Sequence, residues 1–190
     1  IITNVTNILV LVSIKYISLV SLGMYALLFR VVASPLYSIG IALKSVFYLH
    51  LVESKNKALF LKIAIFPSLI TGVIIAAGYH YFDFKIIEFT LGEQWKGIDK
   101  YFPGFFLWVL SSVVNILPSE VFKHTGYQAF VLKGEVASLV LKAIAIICVF
   151  SYKLDVLYYY PLSFFVFNVL LLVYYYKKVN LCLKVIDREA

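Results

Sequence analysis

Residues 156–176 read VLYYYPLSFFVFNVLLLVYYY, a run of apolar and aromatic side chains without a single charge. A helix that spans the hydrocarbon core of a bilayer needs about 20 mostly apolar residues, and this stretch meets that length. Tyrosines cluster at both ends of the run, where an amphipathic ring suits the boundary between lipid and water. The stretch therefore predicts a transmembrane helix bounded by aromatic residues.

Similar apolar runs fill the rest of the chain. Of its 190 residues 63% are hydrophobic and 14% charged, and the mean hydropathy is +0.94, whereas a soluble domain has roughly 25% charged residues. The sequence has no series of short alternating segments that would indicate a β-barrel, so the length of the runs favours helices. We predict an all-α polytopic membrane protein with six spans and a cytoplasmic tail. The spans are predicted at 1–15, 18–49, 58–82, 101–122, 127–150 and 156–176, and the tail at 177–190.

The second run, 18–49, is too long for one perpendicular crossing. As a helix it would reach roughly 50 Å, against a hydrocarbon core of about 30 Å. Two interpretations fit: a first helix that ends near Lys15 with a turn at 21–23, or a turn at 30–35. Both give two crossings before a loop at 53–57, so the later topology is the same.

Basic residues divide unevenly between the two sides of the predicted membrane. The loops at 50–62 and 120–133 and the tail hold nine of them, whereas the opposite side holds five. The nine are Lys55, Lys57, Lys62, Lys123, Lys133, Lys177, Lys178, Lys184 and Arg188, and the five are Lys15, Lys85, Lys96, Lys100 and Lys153. Because cytoplasmic loops carry an excess of Lys and Arg, this bias places the tail in the cytoplasm and the 82–100 loop outside.

The remaining basic residues, Arg30, Lys44 and Lys142, lie inside apolar runs. A cation at the bilayer centre costs about 2.5–3.5 kcal/mol on insertion scales. In a continuous helix Arg30 and Lys44 would form one polar stripe with Ser34 and Tyr37, and such a stripe could line a path for an anionic substrate. In the alternative, Lys44 extends to the cytoplasmic interface and Arg30 stands at a turn.

Lys142 lies deep in its run, with apolar neighbours on both sides and with Glu135 and Ser138 on the same helical face. In one interpretation it pairs with a carboxylate or carbonyl of a neighbouring helix and fixes packing. In the other it faces a central cavity and binds a charged substrate group. The residues alone leave both open.

A second polar stripe, Ser111, Asn115 and Ser119, has i, i+4, i+8 spacing on the fourth span. Small polar residues on one face usually join helices, with under ~2 kcal/mol for each hydrogen bond. Packing is therefore the favoured interpretation of this stripe. The alternative, a cavity lining, makes Asn115 a further substrate-binding candidate.

Soluble-enzyme motifs are missing from the sequence, which has no Gly-rich phosphate loop, HExxH or GxSxG. The three histidines (His50, His80, His124) are scattered, and the two cysteines (Cys148, Cys182) have no metal-binding or disulfide spacing. We therefore expect no catalytic residue, metal or cofactor. The net charge of +7 fits basic loops on one side of a membrane. The sequence has no basic run interleaved with aromatic residues, so it does not predict nucleic-acid binding.

Two stretches carry a family resemblance. Residues 22–53, LGMYALLFRVVASPLYSIGIALKSVFYLHLVE, resemble a stretch of the bacterial polysaccharide-biosynthesis membrane proteins, the O-antigen-type flippases of the multidrug/oligosaccharidyl-lipid/polysaccharide exporter superfamily. The matching positions are Gly23, Tyr25, Arg30, Pro35, Ile39, Gly40, Ala42, Phe47 and Glu53. Residues 89–96, FTLGEQWK, are similar to the family's "lFG-x-x-W" segment in an outer loop. The chain departs from the motifs at Phe29, where the family has a small residue, and at Leu91, where it has Phe.

The resemblance implies the C-terminal half of a transporter made of two six-helix bundles, so the chain is expected to be a fragment of a longer protein. It implies an undecaprenyl-pyrophosphate-linked oligosaccharide as cargo, moved by alternating access across the bacterial cytoplasmic membrane. It further implies that Arg30 contacts the pyrophosphate, and that the partners are the N-terminal bundle, membrane lipids and polysaccharide polymerase machinery.

Three other functions compete with this one. A cation-coupled drug exporter of the same superfamily would need an acidic residue buried in a span, and the sequence places Glu120 and Glu135 only at span ends. A membrane scaffold or assembly subunit would use the polar stripes for packing alone. An integral-membrane transferase would need a catalytic His or paired acids at an interface, and the loops offer no such cluster.

Overall fold

The structure is a computed structural model that describes residues 19–53, 57–82, 85–124 and 126–189. In these ranges all regular structure is helical. The all-α prediction is therefore confirmed for the described part of the chain. The predicted first span at 1–15 and most of the predicted 53–57 loop lie outside the described residues.

Eight α-helices follow one another along the described chain. They are α1 Leu19–Leu28, α2 Ser34–Glu53, α3 Lys57–Tyr81, α4 Ile86–Leu91, α5 Phe102–Val114, α6 Ile116–His124, α7 Gln128–Ser151 and α8 Val156–Glu189. A π-helical segment, Phe29–Ala33, joins α1 to α2, and two short 3-10 turns, Glu93–Trp95 and Asp99–Tyr101, precede α5.

Among the described residues, five helical stretches are long and apolar enough to cross a membrane. They are Leu19–Lys44, Ala64–Tyr81, Asp99–Phe122, Gln128–Ser151 and Val156–Val179. These stretches overlap the second to the sixth predicted spans, so the polytopic prediction is confirmed for them.

The turn predicted in the second apolar run is wrong in both of its versions. Residues 19–53 are helical throughout, as α1, the π-helical segment and α2. The segment ends just before Pro35, with the Ser34 N–H donating to the carbonyl of Phe29, five residues back. Because Pro35 has no N–H to donate to the preceding turn, the helix adjusts its hydrogen bonding here instead of breaking.

The span formed by α5 and α6 lies at the centre of the bundle. In an 18-residue apolar stretch of this span 61% of residues are buried, against 22% in the corresponding stretch of the span that begins at Leu19, and α5 packs against both α3 and α8. Glycines permit the close approach of neighbouring helices: a Cβ at Gly72 would lie 1.9 Å from Leu110 Cδ2, and one at Gly40 would lie 2.7 Å from Val113 Cγ1. The centre of the bundle is therefore packed helix against helix.

Candidate functional site

A cluster of amide and hydroxyl groups lies between α5 and α8 at the centre of the bundle. Asn168 of α8 is 2% exposed, and its Nδ2 donates to Ser112 Oγ at 2.7 Å and to Ser111 Oγ at 3.1 Å. Both serine hydroxyls donate in turn to the carbonyl of Trp108. These contacts satisfy polar groups that would otherwise be costly to bury in lipid.

Asn115 lies next to this cluster, at the break between α5 and α6. Its Nδ2 donates to the main-chain oxygen of Asn168 at 2.9 Å. Pro118, three residues later, has no N–H to give to the carbonyl of Val114, which accounts for the interruption of the helix. Asn115 Oδ1 is buried and accepts no hydrogen bond from any described residue.

Tyr37 of α2 extends the same cluster to a third helix. Its side chain lies next to that of Ser112, so α2, α5 and α8 meet at one serine. The packing interpretation of the Ser111, Asn115 and Ser119 stripe agrees with these contacts, since all three are buried. In this structure Tyr37 and Asn115 therefore hold helices together.

Lys44 does not stand alone. Its Nζ lies 3.3 Å from Glu120 Oε1 on α6, and the Lys44 side chain is 41% exposed, whereas that of Glu120 is 5% exposed. The pair joins α2 to α6 five residues beyond the helix break. Glu120 lies near the end of its span, as the sequence predicts, and its side chain is buried where α6 packs against α2.

Arg30 is separated from all of these groups. It is exposed, near the middle of the Leu19–Lys44 span. Within the described part of the chain its guanidinium makes no ion pair or hydrogen bond. An exposed cation at this depth either faces lipid, at a cost of about 2.5–3.5 kcal/mol, or faces water or a partner.

The stripe predicted for Arg30, Ser34, Tyr37 and Lys44 crosses the π-helical segment, which contains Arg30. A π segment adds one residue to the turn, so the spacing of a regular α-helix does not apply between Arg30 and the residues of α2. Arg30 and Ser34 are exposed, whereas Tyr37 and Lys44 contact α5 and α6.

Lys142 points from α7 toward α8. Its Nζ lies 5.7 Å from the centre of the Phe164 ring, within the range of a cation–π contact. Glu135, on the same helix, is the charged group that acts on it electrostatically. Among the described residues Lys142 has no ion pair with a neighbouring helix. Its contact with α8 is therefore with an aromatic ring and not with the carboxylate or carbonyl that the packing interpretation predicts.

The α7–α8 contact has further polar groups toward the end that carries the tail. Tyr175 hydroxyl lies 3.2 Å from the carbonyl of Val131 and 3.3 Å from Glu135 Oε1. Gly134 lets the helices meet there, since a Cβ on it would fall 2.8 Å from Leu171 Cδ1. Ser138, one turn on, is buried and its hydroxyl has no partner among the described residues.

Asp99 organises the loop between α3 and α5. It is 7% exposed and accepts the Tyr79 hydroxyl proton as well as the N–H groups of Ile87 at 3.0 Å and Glu88 at 2.9 Å. The latter two belong to the first turn of α4, where a carboxylate satisfies free N–H groups. The loop that contains the 89–96 motif is therefore fixed to the end of α3.

Asp155 plays a similar part at the start of α8. Its carboxylate accepts from the Tyr101 hydroxyl at 2.9 Å and from the N–H of Leu157 at 3.2 Å. Lys100 Nζ lies 3.7 Å from the same carboxylate. Asp99 and Asp155 together tie both connections at this end of the bundle to the spans.

Sequence reasoning missed Asn168, the burial of Glu120 and the role of Asp99. Asn168 is the one amide in the 156–176 run, and an isolated amide in a membrane run signals a helix–helix hydrogen bond. The contact of Glu120 with Lys44 follows the interruption between α5 and α6, and Pro118 is the sign of that interruption in the sequence. Asp99 could have been found as an acid close to the predicted start of a span.

The described residues bring together no group of His, Cys, Asp or Glu side chains that could hold a metal ion. A scan against family models finds no match, and no curated protein or solved structure matches the chain. The intramembrane charges and the two motif stretches are therefore the features of the chain that bear on its function.

Proposed function

We propose that this chain is the C-terminal bundle of a flippase that moves an undecaprenyl-pyrophosphate-linked oligosaccharide across the bacterial cytoplasmic membrane. In this proposal the 82–100 loop is outside, the tail is cytoplasmic, and the activity is transport and not catalysis. The cargo would serve O-antigen, capsule or exopolysaccharide synthesis. The sequence resemblance supports the family, and the intramembrane charges support transport.

Arg30 is the observation that carries the proposal. It is a permanent cation near the middle of a span, exposed on this bundle and without a partner in the described part of the chain. A lipid-facing position would be costly, whereas a face turned toward a second bundle and a wet cavity would not. An Arg in such a cavity binds a pyrophosphate well, because its planar fork matches phosphate oxygens.

The other candidate residues do not contribute equally to substrate binding in this proposal. Lys44 is half exposed and paired with Glu120, so it reaches a substrate phosphate only by exchanging that partner. Lys142, Tyr37 and Asn115 already contact neighbouring helices within the bundle. We therefore assign phosphate binding to Arg30 first and to Lys44 second, and we assign the other three to holding the bundle together.

The test is export of surface polysaccharide by cells that carry Arg30→Ala in the full-length protein. We expect export to stop while the protein reaches the membrane in normal amount, and Arg30→Lys to retain part of it. Val31→Ala, which changes the adjacent exposed residue, is the matched control and should export normally. Normal export by Arg30→Ala would remove the basis of the proposal.

A chemical test separates transport from a scaffold role. In a variant without the native cysteines, Arg30→Cys should react with a charged, water-soluble thiol reagent if its face is wet. Ile41→Cys, on an apolar position that is 66% exposed, is the lipid-facing control and should react slowly. Equal, slow reaction at both positions would favour a scaffold.

One observation favours a second candidate, a cation-coupled exporter of the same superfamily. Glu120 is a buried acid in the last turn of the Asp99–Phe122 span, and an acid within a span can bind the coupling proton or cation. Glu120→Gln should then abolish drug efflux driven by an ion gradient. If polysaccharide export is lost in Arg30→Ala and drug resistance is unchanged in Glu120→Gln, the flippase is the better description.

A further inference from the structure

The short helix α4 is held rigidly at the membrane end of α3. Asp99 accepts the N–H groups of Ile87 and Glu88 and the Tyr79 hydroxyl proton. Ile87 and Ile98 are 5% and 0% exposed and belong to the apolar core of the bundle. Because one face of α4 is fixed in this way, its opposite face has a defined direction.

That opposite face is apolar and exposed. Phe89 is 92% exposed and Ile86, one turn earlier on the same face, is 56% exposed. At the end of α3, Tyr81 and Phe82 are 82% and 65% exposed, and their rings are 5.1 Å apart. We name these four residues the loop patch.

The position of the loop patch limits what can cover it. It begins at Tyr81, the last residue of one candidate span, and its helix lies before Asp99, the first residue of the next. The patch therefore continues the lipid-facing surface of the spans at the level where hydrocarbon gives way to head groups. Aromatic side chains are favoured at this level, with the ring buried and polar neighbours in water.

We propose that the loop patch inserts into the interface of the adjacent leaflet, with Phe89 among the acyl chains next to the lipid head groups. Lys85 and Lys96 are exposed on the same loop and supply cations for lipid phosphates. The loop then anchors the ends of α3 and α5 to the membrane surface. This role is independent of the cargo and does not require the flippase function.

The proposal is tested by fluorescence quenching in the full-length protein without its native cysteines, reconstituted in lipid vesicles. Phe89→Cys and Gln94→Cys each receive an environment-sensitive dye; Gln94 is an exposed polar residue on the same loop. The quenchers are lipids with a nitroxide near the head group and, separately, iodide in the buffer. Interfacial helices insert about 5–10 Å, which sets the depth of the nitroxide.

We expect the dye at position 89 to lose a larger fraction of its fluorescence to the nitroxide lipid than the dye at 94, and a smaller fraction to iodide. Equal or greater quenching by iodide at position 89 would overturn the proposal, because the patch would be in water. Protection of position 89 from both quenchers would also overturn it, because a protein surface would then cover the patch. Since Phe89 is exposed, its replacement leaves the packed core unchanged.

Discussion

The side-chain amide of Asn115 donates to the main-chain oxygen of Asn168 at 2.9 Å, so the interruption between α5 and α6 is tied to the middle of α8. Asn168 in turn donates to two serines of α5. The most buried span and the last span are thus joined by reciprocal amide contacts. In a bilayer, where apolar side chains gain little by meeting each other, such contacts define which helices are neighbours.

Replacement of Asn168 tests this connection. Asn168→Leu removes the donor to Ser111 and Ser112, and we expect the free energy of unfolding in detergent to fall by about 1–2 kcal/mol. Thermal unfolding followed by circular dichroism measures the change. The control is Ser163→Ala, on the same helix, whose hydroxyl bonds only to the carbonyl of Tyr160 in its own helix. A loss in the control as large as in Asn168→Leu would contradict the prediction.

Gly134 tests the close contact of α7 and α8. A Cβ at this position would lie 2.8 Å from Leu171 Cδ1 and 2.9 Å from Tyr175 Cε1, so Gly134→Ala should destabilise the protein by about 1–3 kcal/mol. Gly23→Ala is the matched control, because a Cβ there meets no atom within 4 Å and alanine is the better helix former. Midpoints of denaturation in mixed micelles should move in opposite directions for the two variants.

The Lys44–Glu120 pair can be tested by a double-mutant cycle. Lys44→Met removes the Lys44 cation from the buried carboxylate of Glu120, whereas the double variant Lys44→Met, Glu120→Gln removes the negative charge as well. The coupling energy should be about 1 kcal/mol, since Lys44 is 41% exposed and part of the attraction is screened. Unfolding free energies of the four proteins give the coupling. A double variant less stable than Lys44→Met would show that the pair is not the stabilising contact.

Asp99 should control the stability of the loop with the 89–96 motif. In Asp99→Ala the N–H groups of Ile87 and Glu88 lose their acceptor, so their exchange with deuterium should become faster. Mass spectrometry of peptides that cover 86–91 measures this rate. Glu93→Gln, an exposed acid on the same loop, should leave the rate unchanged, and an equal effect of both substitutions would argue against a specific role of Asp99.

Runs of apolar residues were sufficient to predict the fold class, and five of the predicted spans overlap described helices that are long and apolar enough to cross a membrane. The reason is physical: lipid requires internal satisfaction of every backbone group, so run length alone favours helices. The orientation of Arg30 could not be predicted from spacing, because the π-helical segment changes the register by one residue. Periodicity methods assume 3.6 residues in every turn, and Pro35 was the only sign in the sequence that the assumption fails there.

Some polar contacts could be predicted from the sequence, and others could not. The Ser111, Asn115 and Ser119 stripe is buried, and Asn115 contacts α8, which agrees with the packing interpretation. The pairing of Glu120 was not predicted, because its partner Lys44 lies on a helix far away in the sequence. Pairings between distant helices are set by three-dimensional packing and leave no regular spacing in the sequence.

The π-helical segment at Phe29–Ala33 has a consequence for how this chain tolerates change. Such a segment is equivalent to one inserted residue within a plain α-helix. Deletion of one residue there would restore the ordinary ladder, while the helix on either side of the segment would keep its direction and its contacts. The helix can therefore lose one residue at this segment without a change in the packing of α2 against the rest of the bundle.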